Sequence, residues 1–178
     1  MENMIISYLT LRKIIGILGI ALAPICIIGG LVSTGIIQWS ISAYYYTVMR
    51  NIFVGVLFIA GAFLLSYKGY DLADNIISGV AGLSAIGIAL IPMGVSKFHF
   101  IFAGLFFISI AIMSYFQFSQ GLHKQRNKIY KICGLVIIIA LIFIALLKNI
   151  PYIILIGEII MLDAFGVAWL LKGIKKRN

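Results

Sequence analysis

Six long apolar runs constrain this chain more than any other feature. Hydrophobic residues make up 63% of its 178 residues and charged residues only 11%, against roughly 45–50% and 25% in soluble domains. A soluble fold could not bury that much apolar surface, so lipid must solvate much of the chain. A helix needs about 20 apolar residues to cross a bilayer core, and runs of about that length cover residues 14–37, 48–67, 75–95, 98–118, 129–147 and 151–171.

These runs predict an all-α fold, a polytopic membrane protein with one domain of six transmembrane helices over residues 1–178. The connections 96–97 and 148–150 are very short, so spans 3 and 4, and spans 5 and 6, should form antiparallel hairpins. Six alternating spans place the basic residues Arg50, Lys97 and Lys148 on one side of the membrane. The other eleven lie on the side of the termini: Arg12, Lys13, Lys68, Lys124, Arg126, Lys128, Lys131, Lys172, Lys175, Lys176 and Arg177. Since cytoplasmic loops carry the excess of Lys and Arg, both termini are predicted to be cytoplasmic.

This topology also accounts for the net charge of +9. The positive residues lie at helix ends beside lipid headgroups, so membrane lipids are the expected partners and nucleic acid is not. The basic segments 124–131 and 172–177 could bind anionic lipid, at about 1 kcal/mol per charge near the surface. Topology alone also explains these segments, and this is the favoured interpretation.

Span 3 is rich in small residues, which lets helices approach closely. They are Ser78, Gly79, Ala81, Gly82, Ser84, Ala85, Gly87 and Ala89. The pattern predicts that span 3 is the central, most enclosed helix of the bundle. Alternatively, span 3 is the seam of a homodimer. For the chain as a whole, the possible protein partners are further copies in a homo-oligomer or another membrane protein.

Two carboxylates lie inside span 6. Glu158 and Asp163 are about 10 and 18 Å from its outer end at 1.5 Å per residue, where a charge costs at least about 2.5 kcal/mol. Five residues apart, they point about 140° away from each other and make no paired-carboxylate site. One interpretation is a proton or cation relay, or a counter-charge for a ligand. The other is a buried hydrogen bond to Ser or Thr on span 3 or 4.

An aromatic, hydroxyl-rich segment precedes span 2 on the outer side. It contains the candidate site residues Ser42, Tyr44, Tyr45 and Tyr46, followed by Arg50. Aromatic residues at this depth are typical of the interfacial belt, but three consecutive tyrosines cannot all face lipid. At least one should turn into the bundle and could form the polar rim of an outward-facing cavity. Arg50 could pair with Glu158, bind an anionic headgroup, or extend to the interface.

The same segment carries a family resemblance. Ser40-Ile-Ser-Ala-Tyr-Tyr-Tyr-Thr47 resembles a motif of small, uncharacterised bacterial multi-span membrane proteins, and the stretches 126–130 and 164–169 resemble further parts of that pattern. More distantly, the six-span layout is similar to the DRAM/Sfk-like membrane proteins. The resemblance implies a protein of the bacterial inner membrane and brings no established activity with it.

The remaining polar residues argue against catalysis. His99 and His123 fall on opposite sides of the predicted membrane, and no H-x-x-x-H, C-x-x-C or G-x-S-x-G pattern occurs. We therefore predict no metal, no cofactor and no catalytic residues. Cys26 and Cys133 lie within apolar runs and are interpreted as small hydrophobes.

Three function classes remain. The favoured one is a bundle that binds or moves a lipid or small amphiphile through the outward-facing cavity, using the tyrosines, Ser42, Arg50, Glu158 and Asp163. The second is a structural or accessory subunit of a membrane complex. The third is a membrane-embedded enzyme that modifies lipids, which the shortage of histidines and paired acids makes less favoured.

Overall fold

A computed structural model describes residues 7–69 and 71–174. Within these ranges the chain is all-helical and contains no strand, which confirms the predicted all-α class. The long helices are α1 Tyr8–Thr34, α2 Arg50–Ser66, α3 Leu72–Leu90, α4 Phe98–Ile112, α5 Lys124–Leu147 and α6 Ile153–Gly173. The α4 rod continues through a π-helical turn, Met113–Gln117, and a 3-10 turn, Phe118–Gln120. A further 3-10 helix, Ser42–Tyr46, lies between α1 and α2.

The helices are apolar enough for an integral membrane protein. Five are long and apolar enough to cross a bilayer, counting α4 with its extension to Gln120, whereas α2 has 17 residues. At 1.5 Å per residue α2 is about 25 Å long, at the lower limit of a spanning helix. Helices α1 and α5 begin before the predicted spans, at Tyr8 and Lys124, because lysine, arginine and glutamine continue a helix beyond its apolar part.

The six helices form a closed ring. Each packs against its neighbours in the sequence, and α6 closes the ring by packing along α1. The two run antiparallel, since Gly16 lies against Leu170 and Gly173 lies against Leu9. The ring therefore has two ends. The terminal end carries the start of α1, the end of α6, the end of α2, the start of α3 and the connection 121–123. The loop end carries the connections 35–49, 91–97 and 148–152.

Glycines mark the closest helix crossings. A Cβ atom on Gly166 of α6 would lie 2.6 Å from the carbonyl oxygen of Gly16 on α1. A Cβ atom on Gly82 of α3 would lie 2.8 Å from the carbonyl oxygen of Gly61 on α2. These contacts join backbone to backbone, which only residues without a side chain permit. The ring thus closes at Gly16 and Gly166.

The most enclosed helix is α6. Half of its spanning window is buried, against 44% for α3, so the prediction that span 3 is the most enclosed is wrong. The reason is side-chain size: Phe165 and Trp169 of α6 fill the ring interior, while the small face of α3 only brings its neighbours close. The α3 N-cap is Asp71, whose side chain accepts the Asp74 N–H at 2.8 Å.

Candidate functional site

The connection between α1 and α2 folds into the loop end of the ring. Gly35 ends α1 in the left-handed conformation with φ of 70°, which glycine adopts without a Cβ penalty. The chain then turns back, and Ser40, Ile41 and Tyr44 become almost fully buried. We call residues 38–47 the inserted loop. It closes the loop end of the bundle where the sequence predicted an outward-facing cavity.

Glu158 of α6 holds the inserted loop in place. Ser40 Oγ lies 3.0 and 2.8 Å from the two carboxylate oxygens, and the Ile41 N–H donates to Oε2 at 2.6 Å. Ser42 N–H donates to Ser40 Oγ at 3.1 Å, which orients that hydroxyl. Hydrogen bonds to a carboxylate are roughly twice as strong as neutral ones. The partner of Glu158 is thus a loop serine and a loop amide, not a Ser or Thr of span 3 or 4.

The three tyrosines point in three directions. Tyr44 enters the core, packs against Gly30 of α1, and its hydroxyl accepts the Gln38 N–H at 3.3 Å. Tyr45 stays near the surface. The exposed Tyr46 donates to the carbonyl of Met93 in the 91–97 connection. The tyrosine that turns into the bundle is therefore Tyr44, and it packs as a structural anchor.

Arg50 pairs with Tyr45. Its guanidinium carbon lies 4.3 Å from the ring centroid of Tyr45, and its Nη2 donates to the Tyr45 hydroxyl at 2.6 Å. Such stacking is worth about 0.5–1 kcal/mol at an exposed site. The carboxylate of Glu158 is satisfied by the inserted loop, and the pairing of Arg50 with Glu158 that the sequence left open is not formed.

The structure brings together only part of the predicted site. Ser42 and Glu158 line a cavity of about 30 Å³ whose walls are otherwise mostly apolar, room for one or two water-sized molecules. Tyr45, Tyr46 and Arg50 form a separate surface cluster. Asp163 lies further along α6, away from both groups, and within residues 7–69 and 71–174 its carboxylate has no hydrogen-bond or ionic partner.

The terminal end holds a larger, basic cavity. It measures about 380 Å³, and its described lining is Leu9, Arg12, Phe118, Gly121, His123, Arg126, Asn127, Tyr130, Lys172 and Ile174. Three helices contribute cationic side chains to this basic cavity, and none of its described lining residues is acidic. Lys175, Lys176 and Arg177 of the predicted basic tail lie outside the described residues.

Aromatic rings position the cations of the basic cavity. The guanidinium carbon of Arg12 lies 4.3 Å from the Tyr8 centroid and 5.5 Å from that of Tyr67. Lys172 Nζ lies 4.8 Å from the Phe118 centroid. Stacking uses the face of a guanidinium and leaves its N–H edges available. The Arg12 Nε is buried and has no hydrogen-bond partner in the described part of the chain.

Arg126 connects the basic cavity to the end of α6. Its Nη2 donates to the carbonyl of Leu171 and, at 3.3 Å, to that of Ile174. The Leu171 carbonyl also accepts the Ile174 N–H at 3.4 Å. Both carbonyls lie at the C-terminal end of α6, where a cation uses their remaining hydrogen-bonding capacity and stabilises the negative end of the helix dipole. Arg126 therefore serves partly as a helix cap, whereas the Nε–H of Arg12 is a donor without an acceptor in the described part of the chain.

Sequence reasoning missed both groupings for the same reason. Ser40 belongs to the motif that drew attention to Ser42, but nothing local shows which serine reaches Glu158, 118 positions away. The charge pattern predicts a topological role for Arg12, and either topology or lipid binding for the segments that contain Arg126 and Lys172. The convergence of these three side chains depends on how α1 and α5 pack against α6. Across the described ranges, no group of three or more His, Cys, Asp or Glu residues is placed to hold a metal ion.

Comparison with known proteins adds no further assignment. No family model, curated protein or solved structure matches this chain. The resemblance carried by the 40–47 motif, and the more distant one to DRAM/Sfk-like proteins, stay predictions.

Proposed function

We propose that the protein is a six-span protein of the bacterial inner membrane, with cytoplasmic termini, that binds an anionic lipid or small amphiphile. The basic cavity carries this proposal: about 380 Å³ lined by Arg12, Arg126 and Lys172, with no acidic residue in its described lining. A phosphate or carboxylate headgroup has the negative charge and the hydrogen-bond acceptors that arginine and lysine side chains bind.

The position of the basic cavity supports an amphiphile over a water-soluble anion. It lies at the ends of α1, α5 and α6, the depth at which lipid headgroups meet a spanning bundle. About one helical turn further along α4 and α5, an apolar groove of about 280 Å³ is lined by Ala111, Tyr115, Phe116, Gly134 and Leu135, among others. A ligand with a charged head and an apolar chain would fit both features.

The charge distribution supports the orientation. Of the eleven described Lys and Arg residues, eight lie at the terminal end and three, Arg50, Lys97 and Lys148, at the loop end. The positive-inside rule assigns the terminal end to the cytoplasm. The ligand would therefore come from the cytoplasmic leaflet.

The loop end supports a second candidate function, binding of a lipid or small amphiphile on the outer side. The exposed Tyr46 and Arg50, together with the half-buried Tyr45, offer an aromatic and cationic cluster near the surface. The polar interior behind it, with Ser42 and Glu158, has only about 30 Å³ of free space. A lipid could reach Glu158 only if the inserted loop left it, so this function requires a conformational change that the terminal end does not.

Removing the Arg12 charge should weaken lipid retention. We expect wild-type protein, purified in mild detergent with added phosphatidylglycerol, to retain this lipid in native mass spectrometry. Arg12→Gln should lower its affinity about fivefold, since a charge near the headgroups is worth about 1 kcal/mol. Competition with inorganic phosphate distinguishes a free anion from a headgroup: a free-phosphate site would lose its lipid at millimolar phosphate.

Lys97→Gln is the matched control, because it removes the same charge from an exposed residue at the loop end. It should leave phosphatidylglycerol retention unchanged. Equal losses in both variants would show only a general charge effect, and retention of phosphatidylcholine as strong as that of phosphatidylglycerol would contradict an anionic headgroup site.

Cysteine labelling tests the orientation. Val95 of the 91–97 connection and Leu122 of the 121–123 turn are uncharged and strongly exposed, at 71% and 94%. We expect a membrane-impermeant maleimide to label Val95→Cys in intact cells and Leu122→Cys only after permeabilisation. The native Cys26 and Cys133 are buried and should give little background. The reverse pattern would invert the proposed topology.

A further inference from the structure

Asp163 presents a carboxylate on the outside of the ring at mid-membrane. It is the central residue of α6, ten residues from either end of Ile153–Gly173. Its helical neighbours Ile156, Ile160 and Val167 are exposed large apolar residues, so they mark the lipid-facing stripe of α6. Asp163 lies on this stripe at intermediate exposure.

This carboxylate has no way to be satisfied within one copy of the chain. Its hydrogen-bonding capacity is unused within residues 7–69 and 71–174. About 15 Å separates it from either helix end at 1.5 Å per residue, too far for a short side chain to reach the interface. Ionisable residues in spanning helices are expensive and almost always face protein or water. A protein surface should therefore cover the α6 stripe.

We infer that this surface is the α6 stripe of a second copy, in a two-fold symmetric dimer. The positive-inside rule inserts both copies in the same orientation, so a two-fold axis along the membrane normal keeps identical residues at equal depth. In such an isologous contact a residue near the axis meets its own counterpart. Asp163 then faces Asp163 of the second copy, and two protonated carboxyl groups can donate to each other as a neutral, hydrogen-bonded pair.

The shape of this face supports a self-complementary contact. Beside the stripe, between α5 and α6, runs an apolar groove of about 290 Å³. Its walls include the exposed Ile139 and Phe143 of α5 and the stripe residues Ile156 and Ile160. The α6 stripe forms a ridge beside this groove. In a two-fold dimer, the stripe of each copy can therefore pack into the groove of the other. Unlike a lipid chain, that partner also supplies the hydrogen bond Asp163 needs.

Disulfide cross-linking in membranes tests the dimer. Ile160→Cys and Val167→Cys place thiols one turn on either side of Asp163, and we expect copper phenanthroline to convert both variants to cross-linked dimers. Leu83→Cys is the matched control: Leu83 is exposed near the middle of α3, on the opposite side of the ring, and should stay monomeric. Adding Asp163→Leu should reduce the cross-linked fraction of both stripe variants at least fivefold, whereas Asp163→Asn should preserve much of it.

Subunit counting provides an independent measurement. Wild-type protein is reconstituted at low density with one fluorophore on each chain. We expect most fluorescent spots to bleach in two steps, and most spots of the Asp163→Leu variant to bleach in one step. Two results would overturn the inference: single-step bleaching of the wild-type protein, or cross-linking of the Ile160→Cys and Val167→Cys variants that Asp163→Leu leaves unchanged. If the variants cross-link to a different protein in native membranes but form no cross-linked dimer when purified, the dimer inference is overturned, because the surface that covers Asp163 then belongs to another protein.

Discussion

Gly166→Ala should destabilise the protein by about 1–3 kcal/mol, the usual cost of overpacking a well-packed core. The new Cβ would lie 2.6 Å from the Gly16 carbonyl oxygen and 3.0 Å from the Ile20 backbone nitrogen. Because both atoms belong to the α1 backbone, no side-chain rotation relieves the clash and the helices must separate where the ring closes. We expect the Tm in detergent to fall by about 2–12 °C. The fluorescence of the buried Trp169 measures the unfolding.

Gly104→Ala is the matched control for this prediction. Gly104 lies in α4, and a Cβ there would have no heavy atom within 4 Å. Alanine favours the helix over glycine, so Tm should stay the same or rise slightly. Equal effects of the two substitutions would mean that glycine acts through helix propensity and not through the α1–α6 crossing. Gly16→Ala should reproduce the Gly166 effect, since its Cβ meets the backbone of Leu170 and Gly166.

Glu158→Ala should release the inserted loop. The substitution leaves Ser40 Oγ and the Ile41 N–H without their acceptor in a buried site, at about 1–3 kcal/mol for each unsatisfied group. Loop opening should therefore become at least tenfold more frequent. The measurement is the labelling rate of Ser42→Cys by a membrane-impermeant maleimide, because Ser42 is buried while the loop is closed.

Two variants of α6 make this experiment specific. Glu158→Gln keeps one carbonyl oxygen as acceptor and should give an intermediate labelling rate. Asp163→Asn changes the other carboxylate of the helix, which makes no contact with the inserted loop, and should leave labelling at the wild-type rate. If Glu158→Ala labels no faster than wild type, the hydrogen bonds to Ser40 and Ile41 do not hold the loop closed.

The same variants bear on the second candidate function. Should an amphiphile bind at the loop end, Glu158→Ala would alter its retention while Arg12→Gln would not. The proposed site in the basic cavity gives the opposite pattern. The two ends of the bundle are thus separable by single substitutions, because Arg12 and Glu158 lie at opposite ends of the ring.

Much of the fold follows from local sequence properties. An apolar run long enough to cross a bilayer must form a helix, because lipid offers no partner for free backbone groups. A helix covers each of the six predicted apolar runs, and five of them are long and apolar enough to cross a bilayer. Helix α5 differs from its predicted span only where it begins earlier, at Lys124. The need for one of three consecutive tyrosines to turn inward is equally local, because it follows from helical geometry alone.

The candidate sites depend on contacts that no local pattern encodes. The hydrogen bonds of Glu158 to Ser40 and Ile41, the grouping of Arg12 with Arg126, and the outward position of Asp163 all follow from how α6 packs against α1 and α5. That packing is set by backbone contact at Gly16 and Gly166, 150 residues apart. Hydropathy and charge act residue by residue, so local sequence predicts which segments are helical and which end of the bundle is basic. Which polar residues meet depends on the rotation of each helix about its own axis, and that rotation is fixed by the packing of the folded bundle.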